Sequence, residues 1–426
     1  MSHDARARLS DLRRAFHRHP EPGWREFRTT ARVVSELERI GVDEIAVGRD
    51  ALETDARMAI PDDDEMQPWL DRAREAGVSD DLLERTAGGH TGVVATLSRG
   101  EGPCIGLRVD LDAISIHESD APDHRPAAAG FRSEHDGYMH ACGHDAHLAI
   151  ALGTIEAVKA SDFAGTLKVF FQPAEEISGG GKAMAESGHL DGVDYLFALH
   201  VGLDHPTGEI VAGVESPLAM AHLTATFEGA SAHAGKAPNE GANAMQAAAA
   251  AIQNAYGIAR HRDGATRVNV GRIEGGSASN VIAEEVTIEA EVRGETTALM
   301  TYARDELERV LYAAAELHDC DVTPRVISES PCVDSHPALR ELVGNVAWDV
   351  DGVERVIPSE EFGVSEDGTY LMQQVQDAGG LASYVLVGTD HPTSHHTPTF
   401  DIDEESLSIG VDLLSEAFVE LSRRRP

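Results

Sequence analysis

The sequence predicts an α/β protein with a mainly parallel sheet and helices on both faces, interrupted by a smaller α+β domain. Three observations predict this fold class. Short apolar runs, each long enough for a buried strand, alternate with helical segments. Ionisable residues follow these runs at or near their ends. A stretch in the middle of the chain instead follows the order strand-helix-strand-strand-helix-strand.

Four apolar runs predict the strands of the larger sheet. These runs are CIGLRV (104–109), TLKVFF (166–171), YLFALHV (195–201) and ASYVLVG (382–388). The segment DAHLAIALGTIEAVKAS predicts an amphipathic helix between the first two runs. Strands that alternate with helices favour a parallel sheet, and such sheets bind ligands beyond the carboxyl ends of their strands. We therefore expect a site at that edge.

The change of pattern also predicts the domain organisation. With 426 residues, the chain is longer than one hydrophobic core usually requires. We expect an inserted domain at 219–332, and a discontinuous catalytic domain made of 1–218 and 333–426. Residues 50–91 are rich in Asp, Glu and Arg. They are expected to form a surface insertion, whose shape and role the sequence leaves open.

The charge is strongly acidic and dispersed. The chain has 73 acidic and 35 basic residues and a net charge of −38, with only PDDDE at 61–65 forming a short run. At about 1 M salt the Debye length falls to roughly 3 Å, which screens self-repulsion. We therefore expect the cytoplasm of a high-salt organism, with an unusual cationic partner as the weaker alternative. A nucleic-acid partner is disfavoured because it requires a basic face.

Membrane and disulfide signals are absent from the sequence. No stretch approaches the roughly 18 apolar residues that span a membrane, and the N-terminal segment has no apolar core of a signal peptide. We expect a soluble intracellular protein with no membrane partner. The four cysteines form no CxxC pair, which argues against a zinc ribbon or a disulfide scaffold.

A cluster of metal-binding residue types lies at the start of the predicted helix. The stretch YMHACGHDAHLAI (138–150) holds three histidines together with Cys142 and Asp145. Taken alone it is weak evidence, because a lone cysteine is more often a small buried hydrophobe than a ligand. Candidates at the other strand ends favour a metal site, because they would converge with this cluster. These candidates are Glu175, Glu176, His200, His395 and His396.

Five separated motifs resemble the M20 metallopeptidase and amidohydrolase family. They are HACGHDAH, FQPAEE, ALHVG, SAHAG and HHTPTFDIDEESL, and the resemblance runs along nearly the whole chain. The cysteine that replaces a more usual bridging Asp resembles the hippurate and auxin-conjugate hydrolase branch. The resemblance implies a hydrolase with two divalent metal ions in each protomer, either Mn²⁺ or Zn²⁺.

The resemblance also implies a role for each matched residue near the metal ions. Glu175 would be the general base, and Cys142 would bridge the two ions. The pattern H-x-P-x-[FY] fits His396, with His395 left as the alternative. The implied metal ligands are Cys142, His144, Glu176, His200 and His396. Asp112 and Asp145 would orient ligands, whereas His140 and His147 would be supporting residues.

Three residues of the inserted domain match positions that contact substrate in the family. His233 would polarise the scissile carbonyl, often reaching across a dimer. Asn280 and Arg293 would hold the carboxylate end of the substrate. The alternative for Arg293 is a surface charge at a strand end, and for Asn280 a simple turn residue.

The resemblance implies hydrolysis of the amide bond of an N-acyl amino acid, with p-aminobenzoyl-glutamate or a related aroyl-glutamate favoured. A broad N-acyl-amino-acid amidohydrolase (aminoacylase or hippurate hydrolase) or a dipeptidase is the closest alternative. A catalytically silent metal-binding protein is disfavoured, because such a protein need not keep Glu175. We expect a homodimer that takes a small-molecule substrate, with a heteromeric complex of related chains as the alternative.

Overall fold

The computed structural model describes residues 1–423, which form two compact units. The larger unit contains Met1–Glu215, Val333–Phe362 and the chain from Asp367 onward, and the smaller unit contains Ser216–Cys332 and Gly363–Glu366. Residues 216–218 and 363–366 therefore belong to the smaller unit, outside the predicted range 219–332. The Leu218 N–H donates to the Val364 carbonyl over 3.0 Å, and this pairing holds the segment to the smaller unit.

Strands alternate with helices along the chain. In chain order the strands are β1 (Glu44–Val47), β2 (Val93–Ser98), β3 (Cys104–Asp110), β4 (Thr166–Gln172), β5 (Tyr195–Val201), β6 (Glu209–Val211), β7 (Val214–Glu215), β8 (Ala219–Glu228), β9 (Thr266–Gly275), β10 (Glu285–Gly294), β11 (Asp321–Ser330), β12 (Arg355–Ile357), β13 (Glu360–Glu361) and β14 (Leu381–Val387).

The helices include several that are only one or two turns long. In chain order they are α1 (His3–His17), α2 (Phe27–Ile40), α3 (Asp63–Glu75), α4 (Asp80–Thr86), α5 (Arg125–Ala128), α6 (His144–Ala160), α7 (Gly181–Ala185), α8 (Ala244–Ala255), α9 (Thr297–Leu317), α10 (Pro337–Ala347), α11 (Thr369–Asp377) and α12 (Glu405–Arg423).

The larger unit contains an eight-stranded sheet in the order β1-β2-β4-β3-β5-β14-β6-β12. The four strands predicted from apolar runs are its neighbours β4, β3, β5 and β14, and every pairing among them is parallel. Their carboxyl ends therefore meet at one edge of the sheet. The expectation of a mainly parallel sheet is confirmed, with antiparallel pairings at β1–β2, β2–β4 and β14–β6.

Helix α6 is the central helix of the larger unit. Nearly every residue from its first turn to Val158 is buried, and it packs against α1 and α12. A Cβ on Gly153 would lie 2.7 Å from Leu9 and 2.8 Å from Val411. A methyl group there would force the Leu9 and Val411 side chains to shift, so glycine suits the close packing of α6 against α1 and α12.

Residues 50–91 pack onto the larger unit through a small apolar cluster. Helices α3 and α4 bury Trp69, Ala73 and Leu83 in one cluster with Phe27 of α2. The acidic residues of the first turn of α3 suit the positive end of the helix dipole, and they stay exposed. The insertion thus has an apolar inner face and an acidic outer face.

The smaller unit has the predicted order β8-α8-β9-β10-α9-β11. Its four strands pair antiparallel in the order β11-β8-β10-β9. Apolar and polar residues alternate along β8 and β10, so that one face of the sheet is buried with α8 and α9. The other face carries charged and hydroxyl side chains.

Among the residues described, no helix has both the length and the apolar character needed to cross a membrane.

Candidate metal centre

The carboxyl ends of the parallel strands bring the predicted metal-site residues of the larger unit together. His200 lies in β5, and Glu175 and Glu176 follow β4 after Pro173 and Ala174. Cys142 and His144 lie where the chain enters α6, two positions apart around Gly143. Gly143 has a φ of 87°, a conformation that glycine adopts readily. His396 follows β14 and precedes α12.

Two groups of metal-binding atoms share the Cys142 thiol. The first group is Cys142, His144 and His200, and the second is Cys142, Glu176 and His396; within each group the ligand atoms lie within 4.8 Å of one another. The Cys142 Sγ is 3.4 Å from His200 Nε2 and also 3.4 Å from His396 Nε2. One sulfur atom thus faces both groups, which is the arrangement of a bridging ligand.

Backbone carbonyls fix the proton on two of the imidazoles. The His144 Nδ1 lies 2.9 Å from the Asp112 carbonyl, and the His200 Nδ1 lies 2.8 Å from the Val201 carbonyl. A carbonyl only accepts, so each Nδ1 carries a proton, and in the neutral ring each Nε2 keeps its lone pair. In both residues the Nε2 atom belongs to the group around Cys142.

The two glutamates occupy different positions beside His144. Glu176 Oε2 lies 3.4 Å from His396 Nε2. The backbone N–H of Glu176 donates to Asp112 Oδ2 over 3.0 Å, which holds the residue in place. Glu175 Oε2 lies 3.7 Å from His144 Nε2. Glu176 is therefore a member of the second ligand group. Glu175 is in neither group that contains Cys142, but its carboxylate lies within 4.8 Å of ligand atoms of His144 and Glu176.

The centre contains buried polar atoms without a hydrogen-bond partner. They are His144 Nε2 and Glu176 Oε1, and leaving such atoms unpaired is costly. A divalent cation would satisfy both atoms, and thiolate, imidazole and carboxylate are ligands that zinc and manganese accept. The residues present therefore fit a metal site.

The charges around the centre also favour a cation. Although burial opposes it, the carboxylates of Asp110, Glu176 and Asp112 raise the pKa of His144 to about 10. Burial raises the pKa of Glu176 to about 8, and the neighbouring Asp112 adds to this. The site thus attracts positive charge, which a divalent ion would supply in place of protons.

Three nearby histidines do not join the ligand groups around Cys142. His147 Nε2 accepts from the Val201 N–H over 3.0 Å, and its Nδ1 lies 3.1 Å from Asp110 Oδ2, so both nitrogens are used. His395 Nε2 lies 3.2 Å from the Val201 carbonyl. His140 is buried, and neither ring nitrogen has a hydrogen-bond partner. The structure thus brings His396, and not His395, to the thiol.

Asp145 belongs to a buried charge network behind the ligands. Its Oδ2 is 2.6 Å from Arg13 Nε and 2.8 Å from His17 Nδ1, and the three side chains are fully buried. His17 Nε2 lies 2.9 Å from Glu118. The network therefore ties α1 to the first turn of α6, one residue after His144.

The smaller unit brings two of its predicted substrate residues together. The Ala234 N–H donates to the Asn280 carbonyl over 3.0 Å, and His233 pairs with Val281 in an isolated bridge. The Gly235 N–H donates to His233 Nδ1 over 3.1 Å. Since Nδ1 accepts, the proton of the neutral ring is on Nε2, and both His233 and Asn280 are exposed.

Arg293 has a protein partner that its sequence surroundings did not indicate. Its Nε and Nη2 lie 2.7 Å and 3.0 Å from the two carboxylate oxygens of Glu291. Glu291 also contacts His222 over 3.0 Å. A substrate carboxylate at Arg293 would therefore share the guanidinium with Glu291 or displace it.

Two residues around the site were not identified from the sequence. Asp110, at the end of β3, contacts His147 and helps to raise the pKa of His144. Its position directly after an apolar strand was a usable signal. Glu26 is fully buried and accepts from the Ala174 N–H over 2.8 Å. It lies far from the strand ends in sequence, and no local pattern indicated this contact.

Two relatives align with this chain over nearly its whole length, and a family profile matches most of it. The profile of "Peptidase family M20/M25/M40" matches residues 106–420. Indole-3-acetyl-aspartic acid hydrolase of Enterobacter agglomerans is 39% identical over 411 residues, which cover 96% of this chain and 94% of the relative. One of the subunits of p-aminobenzoyl-glutamate hydrolase from Escherichia coli is 39% identical over 412 residues, with coverages of 96% and 94%.

Solved structures share the fold as well. An aminobenzoyl-glutamate utilization protein from Klebsiella pneumoniae superposes with a TM-score of 0.84 at 32% identity, covering 99% of this chain and 97% of that chain. A Bacillus subtilis protein described as a dinuclear metal binding peptidase from the M20 family has a TM-score of 0.69 at 23% identity, covering 99% of both chains. With the profile match and the 39% identical relatives, the chain belongs to peptidase family M20/M25/M40.

Proposed function

We propose that this protein is a di-metal amidohydrolase that cleaves the amide bond of an N-acyl amino acid, with p-aminobenzoyl-glutamate or a related aroyl-glutamate as substrate. The observation that carries the proposal is the pair of ligand groups that share Cys142, with Glu175 beside them. A thiolate between two ligand groups suits two ions, and a carboxylate next to them suits proton transfer.

The ligands are Cys142, His144, Glu176, His200 and His396, as the sequence resemblance implies. These residues would hold two divalent ions, which would supply Lewis-acid polarisation of the amide carbonyl and a lowered pKa of water at neutral pH. Glu175 takes a proton from the attacking water and delivers it to the amide nitrogen as the carbon–nitrogen bond breaks. Asp112 holds both the ring of His144 and the backbone of Glu176 in place.

Both Mn²⁺ and Zn²⁺ are candidates for the metal. Thiolate and imidazole favour zinc, whereas carboxylate oxygens are also acceptable to manganese. Asp145 contacts Arg13 and His17 of α1, and these contacts hold the first turn of α6, which carries His144.

For the substrate we propose the contacts implied by the resemblance. His233 polarises the scissile carbonyl by donating from Nε2, and Asn280 and Arg293 bind the carboxylate of the amino acid. Two relatives at 39% identity are named for conjugates of aspartic acid and glutamic acid, which supports an acidic amino acid on the leaving side. The smaller unit would then serve as lid and dimerisation domain.

Assembly and location are part of the same proposal. We propose a homodimer. The Escherichia coli relative is named as one of the subunits of its hydrolase, which supports a heteromeric complex as the second candidate. The dispersed net charge of −38 supports a cytoplasm with a high salt concentration, where such self-repulsion is screened.

A hydrolysis assay tests the function. Metal-depleted protein receives Mn²⁺ or Zn²⁺ at low and at molar KCl, and the release of p-aminobenzoate is followed by chromatography. Hippurate and a dipeptide serve as comparison substrates. We expect metal-dependent cleavage with the highest kcat/KM for p-aminobenzoyl-glutamate. Equal rates on all three would favour the broad amidohydrolase, and bound metal without any turnover would favour a silent metal-binding protein.

A further inference from the structure

The loop that carries the two glutamates is in a strained conformation. We call residues 173–181 the glutamate loop. Ala174, directly before Glu175, has a φ of 56°, and Ser178 has a φ of 50°. Residues other than glycine seldom adopt this left-handed conformation, and it persists only where surrounding contacts impose it. The position of Glu175 and Glu176 therefore depends on what holds this loop.

The first contact that holds the loop comes from Glu26. One carboxylate oxygen of Glu26 accepts from the N–H of the strained Ala174 over 2.8 Å, and the other accepts from Thr91 Oγ1 over 2.5 Å. Thr91 is held in turn, because its carbonyl accepts from Thr30 Oγ1 over 2.6 Å. Glu26 is fully buried. It thus connects the start of the loop to the end of the 50–91 insertion.

At the far end of the loop, the Gly180 and Gly181 N–H groups donate to Asp367 Oδ2, and the insertion adds further hydrogen bonds. The Met58 N–H donates to the Gly179 carbonyl over 3.1 Å, and the Trp24 indole N–H donates to the Met58 carbonyl over 2.8 Å. The Glu53 N–H donates to the Ala183 carbonyl over 2.8 Å, just beyond the loop. Of these last three bonds, one reaches the loop and one the helix after it, while the Trp24 bond joins two segments that are far from the loop in sequence.

The fit is close enough to exclude a single methyl group at two points. A Cβ on Gly179 would lie 2.6 Å from the Met58 carbonyl oxygen and 2.9 Å from Trp24 Nε1. A Cβ on Gly23 would lie 2.9 Å from Ala174 Cα. The loop is thus packed as well as hydrogen-bonded against these segments.

We infer that residues 22–26, 53–58 and 91 form a brace that holds the glutamate loop in its strained form, and that Glu26 is a positioning residue for Glu175 and Glu176. The inference deepens the proposed function. Its kinetic test rests on that function, because the test uses the proposed substrate. It also gives the 50–91 insertion a role. The insertion contributes 53–58 and Thr91 to the brace, while α3 and α4 pack it onto α2.

Hydrogen exchange and kinetics on the full-length, metal-loaded protein test the brace. Glu26→Ala removes the acceptor of the Ala174 N–H, so we expect backbone amides of 173–181 to exchange at least about tenfold faster, with α6 unchanged. We expect kcat on p-aminobenzoyl-glutamate to fall about tenfold or more with KM within about twofold, because the proton-transfer geometry is lost while substrate contacts remain.

Two further variants separate positioning from general destabilisation. Glu26→Gln keeps an oxygen for the Ala174 N–H, and we expect it to restore slow exchange and most of kcat. Gly179→Ala places its new methyl against Met58 and Trp24, and we expect the same loosening as in Glu26→Ala while Glu26 stays intact. If Glu26→Ala does not fold, Gly179→Ala and Thr91→Val make the comparison. The matched control is Gln67→Ala on the exposed side of α3, which should match the wild type in both measurements.

The exchange measurement separates the brace from the proposed function. If the wild type does not cleave p-aminobenzoyl-glutamate, the proposed substrate is wrong, yet exchange in the loop still tests the brace. Wild-type exchange rates at 173–181 in both Glu26→Ala and Gly179→Ala would overturn the inference. So would faster exchange with kcat unchanged in an active enzyme.

Discussion

At the scale of single residues, Glu175 and Glu176 are neighbours with different proposed roles, and substitution separates them. Glu175→Ala should keep its bound metal and lose about 10²- to 10⁴-fold in kcat, the usual range for a general base. Glu176→Ala should instead lose metal, because Glu176 belongs to the ligand group with Cys142 and His396. Elemental analysis and kcat measured on the same samples provide the check. Turnover near the wild-type value in metal-loaded Glu175→Ala would remove Glu175 from the mechanism.

Arg293 is the residue whose proposed role the structure makes hardest to fulfil, since Glu291 already occupies two of its donors. If Arg293 binds the substrate carboxylate, Arg293→Ala should lower kcat/KM about tenfold to a hundredfold on the free acid, from the loss of a charge-assisted hydrogen bond worth roughly 1.5 to 3 kcal/mol. The carboxamide analogue of the same substrate should be affected far less.

An equal decrease on both substrates would make Arg293 structural. Arg267 would then be the next residue to test, because β9 places it directly opposite Arg293.

Local spacing indicated some of these residues as candidates, and the family resemblance supplied their roles. Cys142 and His144 lie two positions apart, and Glu175 and Glu176 follow an apolar strand. The choice between His395 and His396 could not come from composition. In the structure His396 has a left-handed backbone with a φ of 58°, and its ring lies against Cys142. Glu26 was missed because its partner Ala174 is 148 positions away.

At the scale of elements, the N-terminus of α6 depends on the buried link to α1. Although burial and Arg13 lower it, hydrogen bonds to Asp145 and Glu118 raise the pKa of His17 to about 9. In the unfolded chain the pKa of a histidine is about 6.5. A pKa that is raised on folding adds stability that is complete below about pH 6.5 and disappears as the pH rises through about 9.

We therefore expect the melting temperature to fall between pH 6.5 and 9 more steeply in the wild type than in His17→Gln. The difference across this interval should correspond to roughly 3 kcal/mol, at 1.36 kcal/mol per pKa unit. Scanning calorimetry of both proteins across this range makes the comparison. Parallel slopes would show that the charge of His17 does not stabilise the fold.

The long elements were predictable from the sequence, and the short ones were not. Strands β3, β4, β5 and β14 are continuous apolar runs because both faces of the sheet are covered. Strands such as β7 and β13 have two residues each, too few to show a period. Helix α3 was not predicted in the insertion, since Pro68 lies inside it and proline argues against a helix interior.

At the scale of the whole molecule, the net charge of −38 should make stability depend on salt. Screening weakens repulsion between exposed acids such as those at 62–65, whereas buried pairs respond much less. We expect the melting temperature to rise from low to molar KCl, with sorbitol at matched osmolality as the uncharged control. A melting temperature that stays flat or falls as KCl is added would contradict a high-salt environment.

The two-domain order was also predictable at this scale, because the smaller unit changes the pattern of the sequence over more than a hundred residues. The presence of residues 363–366 in the smaller unit was not predictable. It depends on hydrogen bonds from Leu218 and Ser365, which connect distant positions and leave no trace in a segment of four residues.

The most direct test of the central claim, a two-metal site bridged by Cys142, is a titration of metal-depleted protein with Zn²⁺ or Mn²⁺ that follows bound metal and activity together. We expect binding to saturate at two ions per chain, with full activity only as the second ion binds. Cys142→Ala should bind fewer ions and remain inactive, because the bridging thiolate is lost. Saturation at one ion with full activity, or two tightly bound ions in Cys142→Ala, would contradict the account.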